Sequence, residues 1–260
     1  MKNNNSAGLG FTVIANKLGY KNEDYKPAID WLKSFDDGKY AYQDNVKGQG
    51  VLYYGARYFE KTVDEKIFVD NDFMADLTVI NPGKVGKEYI KTVGHYHGYV
   101  PGTVVAYPEI YEAITDGFEY LLQSEPDKDG AVDVIWVVTS AGDKVVMPPN
   151  YGHVSMNVGN KPAIEMDIQK RDNPNQSDYT LFKEKVGGAL IRTSDGLKEN
   201  ANYKIKSIKI VRPLEKPDWG IMKDKLLYNS FVESPEKFEW LLKPQNYKFD
   251  LDELFEDIEI

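Results

Sequence analysis

Histidine is scarce in this chain, and its three histidines lie in two short segments. His95 and His97 stand one residue apart in "TVGHYHGYV", and His153 lies in "PPNYGHVSMN". Alternate residues of a strand point to the same side, so the first two imidazoles are expected to share one face, with Tyr96 on the other. Two imidazoles on one face can bind a single metal ion.

A carboxylate follows the paired histidines and could complete a metal-binding set. Glu109 begins the next expected strand after a loop, and His153 follows the turn "GDKVVMPPNYGH". Three imidazoles and one carboxylate leave one or two positions open on a six-coordinate ion such as Fe(II) or Mn(II). Open positions are what a catalytic metal needs. Glu112 lies three residues further on and should face the opposite side of the strand.

The composition excludes several classes of protein. The chain has 260 residues, no cysteine and a net charge of -9. The absence of cysteine removes disulfides and thiolate ligands and suits a reducing cytosol, and an acidic chain argues against nucleic-acid binding. The start, "MKNNNSAGLG", lacks a secretory apolar core, and no run approaches the roughly 18 apolar residues of a membrane span. We therefore expect a cytoplasmic protein without nucleic-acid or membrane partners.

The elements that must position these residues are mostly strands. From Gly50 onward, short segments rich in Val, Ile, Tyr and Phe alternate with turn signals such as "NPG", "TDG" and "GNKP". The expected strands include "KIFVD", "DLTVI", "KEYIKTVGHYH" and "PEIYEAI", and "AITDGFEYLL" is expected to form a tight hairpin at Asp116-Gly117. About ten such strands without intervening helices predict an all-β sandwich or barrel of jelly-roll type.

Both ends of the chain carry expected helices. "KPAIDWLKSF", over residues 26–35, has Pro27 in its first turn and apolar residues at helical spacing. Near the C-terminus, "SPEKFEWLLK" offers Ser234 as an N-cap, and "DLDELFEDIEI" forms an apolar helical stripe. The sequence thus predicts an N-terminal arm and helix over 1–48, a barrel over 49–194, and a mixed α/β extension over 195–260. Trp219 and Trp240 are expected to pin this extension onto the barrel.

Two motifs resemble the metal-binding motifs of the cupin family. The HxH pair followed by a glutamate matches the first motif, and the spacing of Gly142, Pro148, His153 and Asn157 matches the second. The segment "TVINPGKVGKEYIKTVGHYH", with "PEIYEAITDGFEYLLQ" and "MPPNYGH", closely resembles the archaeal-type cupin glucose-6-phosphate isomerases over about residues 50–190. "PGKVGKE" is not a nucleotide-binding loop, because its glycine spacing is too short and Glu88 follows Lys87.

This resemblance implies a fold, a reaction and a set of site residues. It implies a cupin barrel, working as a homodimer, that interconverts glucose 6-phosphate and fructose 6-phosphate in glycolysis and gluconeogenesis. It implies one divalent ion, Fe(II) or Mn(II) with Zn(II) or Ni(II) as alternatives, bound by His95, His97, Glu109 and His153. Positions that hold the substrate phosphate are matched by Thr78, Thr92 and Gly94, and positions that line the sugar by Tyr111, Tyr179 and Tyr54. Hydroxyls and a backbone N–H can bind phosphate without a basic patch.

The expected chemistry moves a proton between C2 and C1 of the sugar. A metal that holds O1 and O2 would act as a Lewis acid and stabilise a cis-enediolate. The expected catalytic residues are Glu109, as ligand and base together, and Tyr179. A hydride shift stays open, because a carboxylate on a metal is a weakened base. Ser177 stands where archaeal members carry a histidine two positions before the tyrosine matched by Tyr179, so ring opening needs another proton carrier or water.

Two other functions stay open. A metal cupin that oxidises or decarboxylates a small acid is one, although Thr78 and Thr92 speak against it. A phosphosugar-binding cupin without catalysis is the other, since the loop between His97 and Glu109 is longer than in archaeal members and the C-terminal extension has no counterpart in them. Lys84 and Lys87 are interpreted as a solvated turn rather than a phosphate-steering pair.

Overall fold

The computed structural model describes residues 32–35, 52–172 and 177–259, and strands dominate these ranges. Numbered in chain order, the strands are β1 (Leu32–Phe35), β2 (Tyr53–Ala56), β3 (Phe73–Ile80), β4 (Lys84–Val85), β5 (Glu88–Tyr89), β6 (Glu109–Ala113), β7 (Phe118–Ser124), β8 (Ala131–Val138), β9 (Lys144–Met147), β10 (Tyr151–Asn157), β11 (Ala163–Lys170), β12 (Leu190–Thr193), β13 (Gly196–Glu199), β14 (Lys204–Pro213) and β15 (Phe255–Asp257). The α-helices are short: α1 (Glu65–Asp70), α2 (Thr180–Glu184), α3 (Leu227–Glu233), α4 (Glu239–Leu242) and α5 (Leu251–Leu254). Single 3-10 turns lie at Pro217–Trp219, Pro235–Phe238 and Pro244–Asn246.

Two large sheets form the body of the fold. One has the strand order β1-β2-β3-β11-β6-β9 and the other β10-β7-β8-β14-β15, while β13-β12-β5-β4 form a smaller sheet. Neighbouring strands are antiparallel except for β14, which runs parallel to β8. Buried apolar residues from both large sheets, such as Leu77 and Leu122, belong to one core. This arrangement confirms the predicted all-β jelly-roll class.

Strand β11 shows how the sequence creates a polar interior. Its apolar residues Ile164, Met166 and Ile168 belong to the main core. Its alternate residues Glu165, Asp167 and Gln169 are also buried, and they line a cavity. Successive side chains of a strand point to opposite faces, so one face of β11 packs against apolar layers and the other faces the inside of the barrel.

Two local expectations in the first part of the chain are wrong. Residues 32–35, expected as the end of a helix over 26–35, form strand β1, which pairs with β2; residues 26–31 lie outside the described ranges. "KIFVD", expected as a strand, lies in helix α1, where Phe68 is buried. Short apolar runs do not distinguish helix from strand, because tertiary pairing decides between them.

Two further predictions are wrong. The paired histidines do not lie in one continuous strand, and no hairpin forms at Asp116-Gly117. Only Glu88–Tyr89 of "KEYIKTVGHYH" is a strand, and His95 makes an isolated bridge to His153. Strands β6 and β7, on either side of Asp116-Gly117, do not pair: β6 lies between β11 and β9, whereas β7 lies between β10 and β8. The turn passes the chain from one sheet to the other, as sandwiches with crossing connections require.

The C-terminal segment packs on the rest of the fold through buried aromatic residues and through several polar contacts. Trp219 and Trp240 stack with ring centroids 4.8 Å apart, and both belong to the main core. The backbone N–H of Leu227 donates to Oε2 of Glu112 at 2.7 Å. Ser234 provides no side-chain cap, and Pro235–Phe238 is a 3-10 turn before helix α4. The helix expected over "DLDELFEDIEI" ends at Leu254, where β15 pairs with β14.

Candidate metal centre and substrate cavity

A glycine sets the path of the segment that carries the paired histidines. Gly94 has φ +86°, and a Cβ at this position would lie 2.6 Å from Val154 Cγ2 and 2.7 Å from Phe182 Cδ1. The segment therefore approaches β10 closely enough for reciprocal backbone hydrogen bonds between His95 and His153. This contact places the two imidazoles with ring centroids 4.4 Å apart.

The three imidazoles and Glu109 converge inside the barrel. One ligand atom from each of His95, His97, Glu109 and His153 lies within 4.8 Å of all the others. The Nε2 atoms of His95 and His97 are 3.1 Å apart. Oε2 of Glu109 lies 3.2 Å from Nε2 of His97 and 3.3 Å from Nε2 of His153. Ligand atoms about 2.1 Å from a common ion at right angles are separated by about 3.0 Å, so these spacings fit one metal ion.

The protonation pattern also fits a cation at this position. Nδ1 of His97 lies 2.9 Å from the carbonyl oxygen of Tyr107, and a carbonyl only accepts, so Nδ1 carries the proton and Nε2 presents a lone pair. That lone pair faces Oε2 of Glu109, which has no hydrogen-bond donor among the described residues. Burial, followed by the neighbouring imidazoles, lowers the pKa of His95 well below its usual value. The lone pair of His97 thus faces a carboxylate oxygen, and the cluster could hold a metal ion between them.

A second set of buried polar groups surrounds Glu109. Nε2 of Gln169 donates to Oε1 of Glu109 at 2.9 Å and lies 3.0 Å from Oδ1 of Asp167. Arg57 forms an ion pair with Asp76 beside them. Burial, and after it the charge of Glu109, raises the pKa of Asp167 well above its usual value. The side of Glu109 turned away from the imidazoles is therefore held by an amide donor.

A cavity of about 420 Å³ opens beside the cluster, and most predicted substrate contacts line it. The predicted residues that line it are Thr78, Thr92, Gly94, Tyr111 and Tyr179, together with His95, Glu109 and His153. The hydroxyl of Tyr111 lies 3.4 Å from Nε2 of His153, and the ring of Tyr179 lies 5.4 Å from that of His95. The side chain of Tyr54 is outside the described part of the structure.

Several residues that the sequence analysis considered do not line this cavity. Glu112 faces the opposite side of β6, where Lys144 pairs with it at 3.5 Å. Ser177 lines a separate hollow beside Tyr99 and contributes nothing to the main cavity. Lys84 and Lys87 do not line the main cavity either, whereas Lys91 and Lys183 do. In the described ranges no helix combines the length and the apolar composition needed to cross a membrane.

Sequence reasoning missed several cavity residues. These are Arg57, Asp76, Lys91, Glu165, Asp167, Gln169 and Lys183. One signal was available: in "PAIEMDIQ" the polar residues occupy every second position of an otherwise apolar strand. That pattern is also typical of a strand with one solvated face, so it does not by itself distinguish a lumen from a surface.

The jelly-roll barrel with this cluster inside it defines a protein of the cupin class. The model of the glucose-6-phosphate isomerase family matches residues 32–208. The glucose-6-phosphate isomerase of Thermococcus onnurineus is 32% identical over 165 residues, which are 64% of this chain and 78% of that protein. The one from Pyrococcus furiosus is 30% identical over 136 residues, which are 52% and 63% of the two chains. The chain therefore belongs to the glucose-6-phosphate isomerase family, whose enzymes are intramolecular oxidoreductases.

Solved structures resemble the chain only weakly. A recombinant oxalate oxidase in complex with glycolate is 14% identical, covers 47% of this chain and 53% of its own, and gives a TM-score of 0.33. A likeness at that level does not bear on the substrate or the reaction of this chain.

Proposed function

We propose that this chain interconverts glucose 6-phosphate and fructose 6-phosphate, with a divalent metal ion held by His95, His97, Glu109 and His153. One observation supports this most strongly: in a member of this family, the four ligand atoms meet at the wall of the cavity that Thr78, Thr92 and Gly94 also line. Fe(II) or Mn(II) is our preferred ion, and Zn(II) or Ni(II) would use the same ligands. When bound, such an ion supplies Lewis-acid stabilisation of negative charge on the reacting oxygens.

In this proposal Glu109 carries the proton between the two reacting carbons. The proton on C2 of the open-chain aldose passes to Glu109, which leaves a cis-enediolate. The proton of the C2 hydroxyl moves from O2 to O1, and Glu109 returns its proton at C1 to give the ketose. Oε1 is held by Gln169, so the carboxylate is oriented before the substrate binds. Because Glu109 is deeply buried, at 1% exposed, the abstracted proton is shielded from bulk water.

The aromatic residues and the hydroxyls of the cavity have supporting roles. Tyr111 and Tyr179 flank the imidazoles and are positioned to orient the sugar hydroxyls. Burial raises the pKa of Tyr111 well above its usual value, so its phenol stays a neutral hydrogen-bond donor and acceptor. Thr78, Thr92 and the backbone of Gly94 would bind the phosphate. We also propose that the protein is a homodimer that works in the cytoplasm, in glycolysis and gluconeogenesis; sedimentation velocity tests the dimer.

The proposal is tested by following the conversion of fructose 6-phosphate to glucose 6-phosphate through a coupled dehydrogenase. EDTA-stripped protein should be inactive, and protein reloaded with Fe(II) or Mn(II) should turn over. Absence of turnover with Fe(II), Mn(II), Ni(II) and Zn(II), while the sugar phosphate still binds, would reject the isomerase and favour a binding protein. Oxygen consumption in the same samples would instead indicate an oxidase.

A further inference from the structure

Glu165 lines the cavity beside Thr78, one of the residues that we propose to bind the phosphate. It pairs in register with Thr78 on β3 and with Ala113 on β6. Thr92 is linked to Glu165 through Ser155. The N–H of Thr92 donates to the carbonyl of Ser155, and the hydroxyl of Ser155 neighbours the Glu165 carboxyl. Gln169, which contacts Glu109, is four residues further along β11, a distance of about 13 Å.

Unlike many of the buried carboxyl groups, Glu165 forms no ion pair with Arg or Lys within the described ranges. Several carboxylates buried elsewhere in the described ranges form ion pairs with Arg or Lys, namely Glu60, Asp76, Glu88, Glu112 and Glu119. The neighbours of the Glu165 carboxyl are the hydroxyls of Ser155 and Tyr120, and its Oε2 has no hydrogen-bond partner in the described part of the chain. Burying an unsatisfied carboxyl is costly, so a ligand that satisfies Oε2 would explain its presence.

The environment keeps this carboxyl protonated. Burial raises the pKa of Glu165 to about 8, against hydrogen bonding from Ser155 and Tyr120, and the charge of Glu109 adds to the rise. Its neighbours Thr78 from β3, Tyr111 from β6, Tyr120 from β7 and Ser155 from β10 are uncharged at neutral pH, and the charged group that acts on it is Glu109 of β6. A protonated carboxyl in this position has one O–H to donate into the cavity.

The surrounding groups select an anion as the acceptor of that O–H. Lys91 and Lys183 line the same cavity, and the hydroxyl-bearing Thr78 and Thr92 lie at the same level as Glu165. An ionised carboxylate would repel a phosphate dianion, whereas a neutral carboxyl forms a short, charge-assisted hydrogen bond with it. We propose that Glu165 keeps its proton and donates it in a hydrogen bond to the phosphate group of the substrate, as a specificity-determining residue. This inference rests on the proposed sugar-phosphate substrate.

Proton linkage distinguishes this role from a purely structural one. A phosphate monoester is mostly dianionic above its second pKa of about 6, so its own charge changes little from pH 7 to pH 9. Above pH 8 the free protein has lost the Glu165 proton and must take it up again to bind the dianion. The affinity should therefore fall about tenfold from pH 7 to pH 9, with uptake of about one proton per ligand at pH 9.

The test measures binding of sorbitol 6-phosphate, an open-chain analogue that lacks a carbonyl and cannot isomerise. Calorimetry of the full chain loaded with Ni(II), in two buffers of different ionisation enthalpy at pH 7 and pH 9, gives both the Kd and the number of protons. Glu165→Gln, which keeps an N–H donor but cannot ionise, should bind with less than a twofold change between the two pH values. Glu256→Gln, at an exposed site on β15, should behave like the wild type.

Two results would overturn the inference. One is a wild-type Kd that is the same at pH 7 and pH 9 without proton uptake, a result that does not depend on any variant folding. The other is a Glu165→Gln variant whose affinity for sorbitol 6-phosphate still falls tenfold from pH 7 to pH 9. Isomerase turnover together with pH-independent binding would reject the role of Glu165 and leave the proposed function intact. Absence of turnover together with the predicted proton uptake would support the role of Glu165 and reject the isomerase.

Discussion

Gln169 donates a hydrogen bond from Nε2 to Oε1 of Glu109 at 2.9 Å, in the interior of the barrel. The same nitrogen lies 3.2 Å from Oδ2 of Asp76, which Arg57 neutralises. Oε2 of Glu109, in contrast, faces the imidazoles of His97 and His153. The two oxygens of the candidate base therefore have different neighbours, and the orientation of the carboxylate depends on the hydrogen bond that Gln169 donates to Oε1.

Replacing Gln169 should impair turnover more than substrate binding. In Gln169→Met we expect kcat to fall about 10- to 100-fold with little change in KM, because Glu109 loses the donor that orients it. The measurement is steady-state kinetics with the metal content of each sample determined in parallel. Gln245→Met, at an exposed position, is the matched control. A Gln169→Met protein with wild-type kcat would show that the hydrogen bond has no role in catalysis.

Metal binding should stabilise the folded chain. The ligand atoms are brought together only by folding, so at a free metal concentration of 100 Kd the gain is about 2.7 kcal/mol, or about 5–10 °C in Tm. Differential scanning calorimetry of EDTA-stripped and reloaded protein measures it. His97→Ala should lose most of this increase, whereas Glu256→Gln should retain it. An equal increase in His97→Ala would place the metal elsewhere.

Glu165 should make stability fall as the pH rises. Its pKa is raised by burial to about 8 in the folded chain, so between its unfolded value and pH 8 the native state holds a proton that the unfolded state has lost. The free energy of unfolding then decreases by about 1.4 kcal/mol per pH unit across this window and levels off above pH 8. Urea unfolding of wild type and Glu165→Gln from pH 5 to pH 9 tests this. The difference between them should grow in favour of the variant; a constant difference would contradict it.

Replacing Gly94 with alanine should lower the stability of the folded chain. Gly94→Ala combines a positive φ, which costs about 1–2 kcal/mol, with a Cβ forced against Val154 and Phe182, which costs about 1–3 kcal/mol more. Gly102 also has a positive φ, of +77°, but nothing lies within 4 Å of its Cβ position. Gly102→Ala should therefore show the first cost without the second. Equal urea midpoints for the two variants would show that the contact with β10 is not tight.

The cluster of His95, His97, Glu109 and His153 was predictable from the sequence, because short local motifs indicate each of its residues. His95 and His97 have the strand spacing, His153 follows a recognisable turn, and Glu109 starts the next strand. The exclusion of Glu112 followed from the same alternation, and the structure confirms that it faces away. The jelly-roll class was predictable for a related reason, since many short strands separated by turns admit few architectures.

The remaining contacts depend on which strands become neighbours. Glu165 and Gln169 look like the solvated face of a strand until folding brings the other sheet over that face, with Tyr120 of β7 and Ser155 of β10 beside the Glu165 carboxyl. "KIFVD" is too short for its periodicity to decide between helix and strand. The hairpin expected at Asp116-Gly117 failed because the turn signal does not specify whether the chain returns to the same sheet or crosses to the other.

The most direct measurement compares metal-loaded wild type with Glu109→Gln in the conversion of fructose 6-phosphate to glucose 6-phosphate. Glu256→Gln serves as the control, and metal content and sorbitol 6-phosphate affinity are measured on the same samples. We expect metal-dependent turnover in the wild type and the control, and a loss of at least about 100-fold in Glu109→Gln that still binds sorbitol 6-phosphate. Wild-type turnover in Glu109→Gln, or no turnover by the wild type with any of the four metals, would contradict the proposed function of this site.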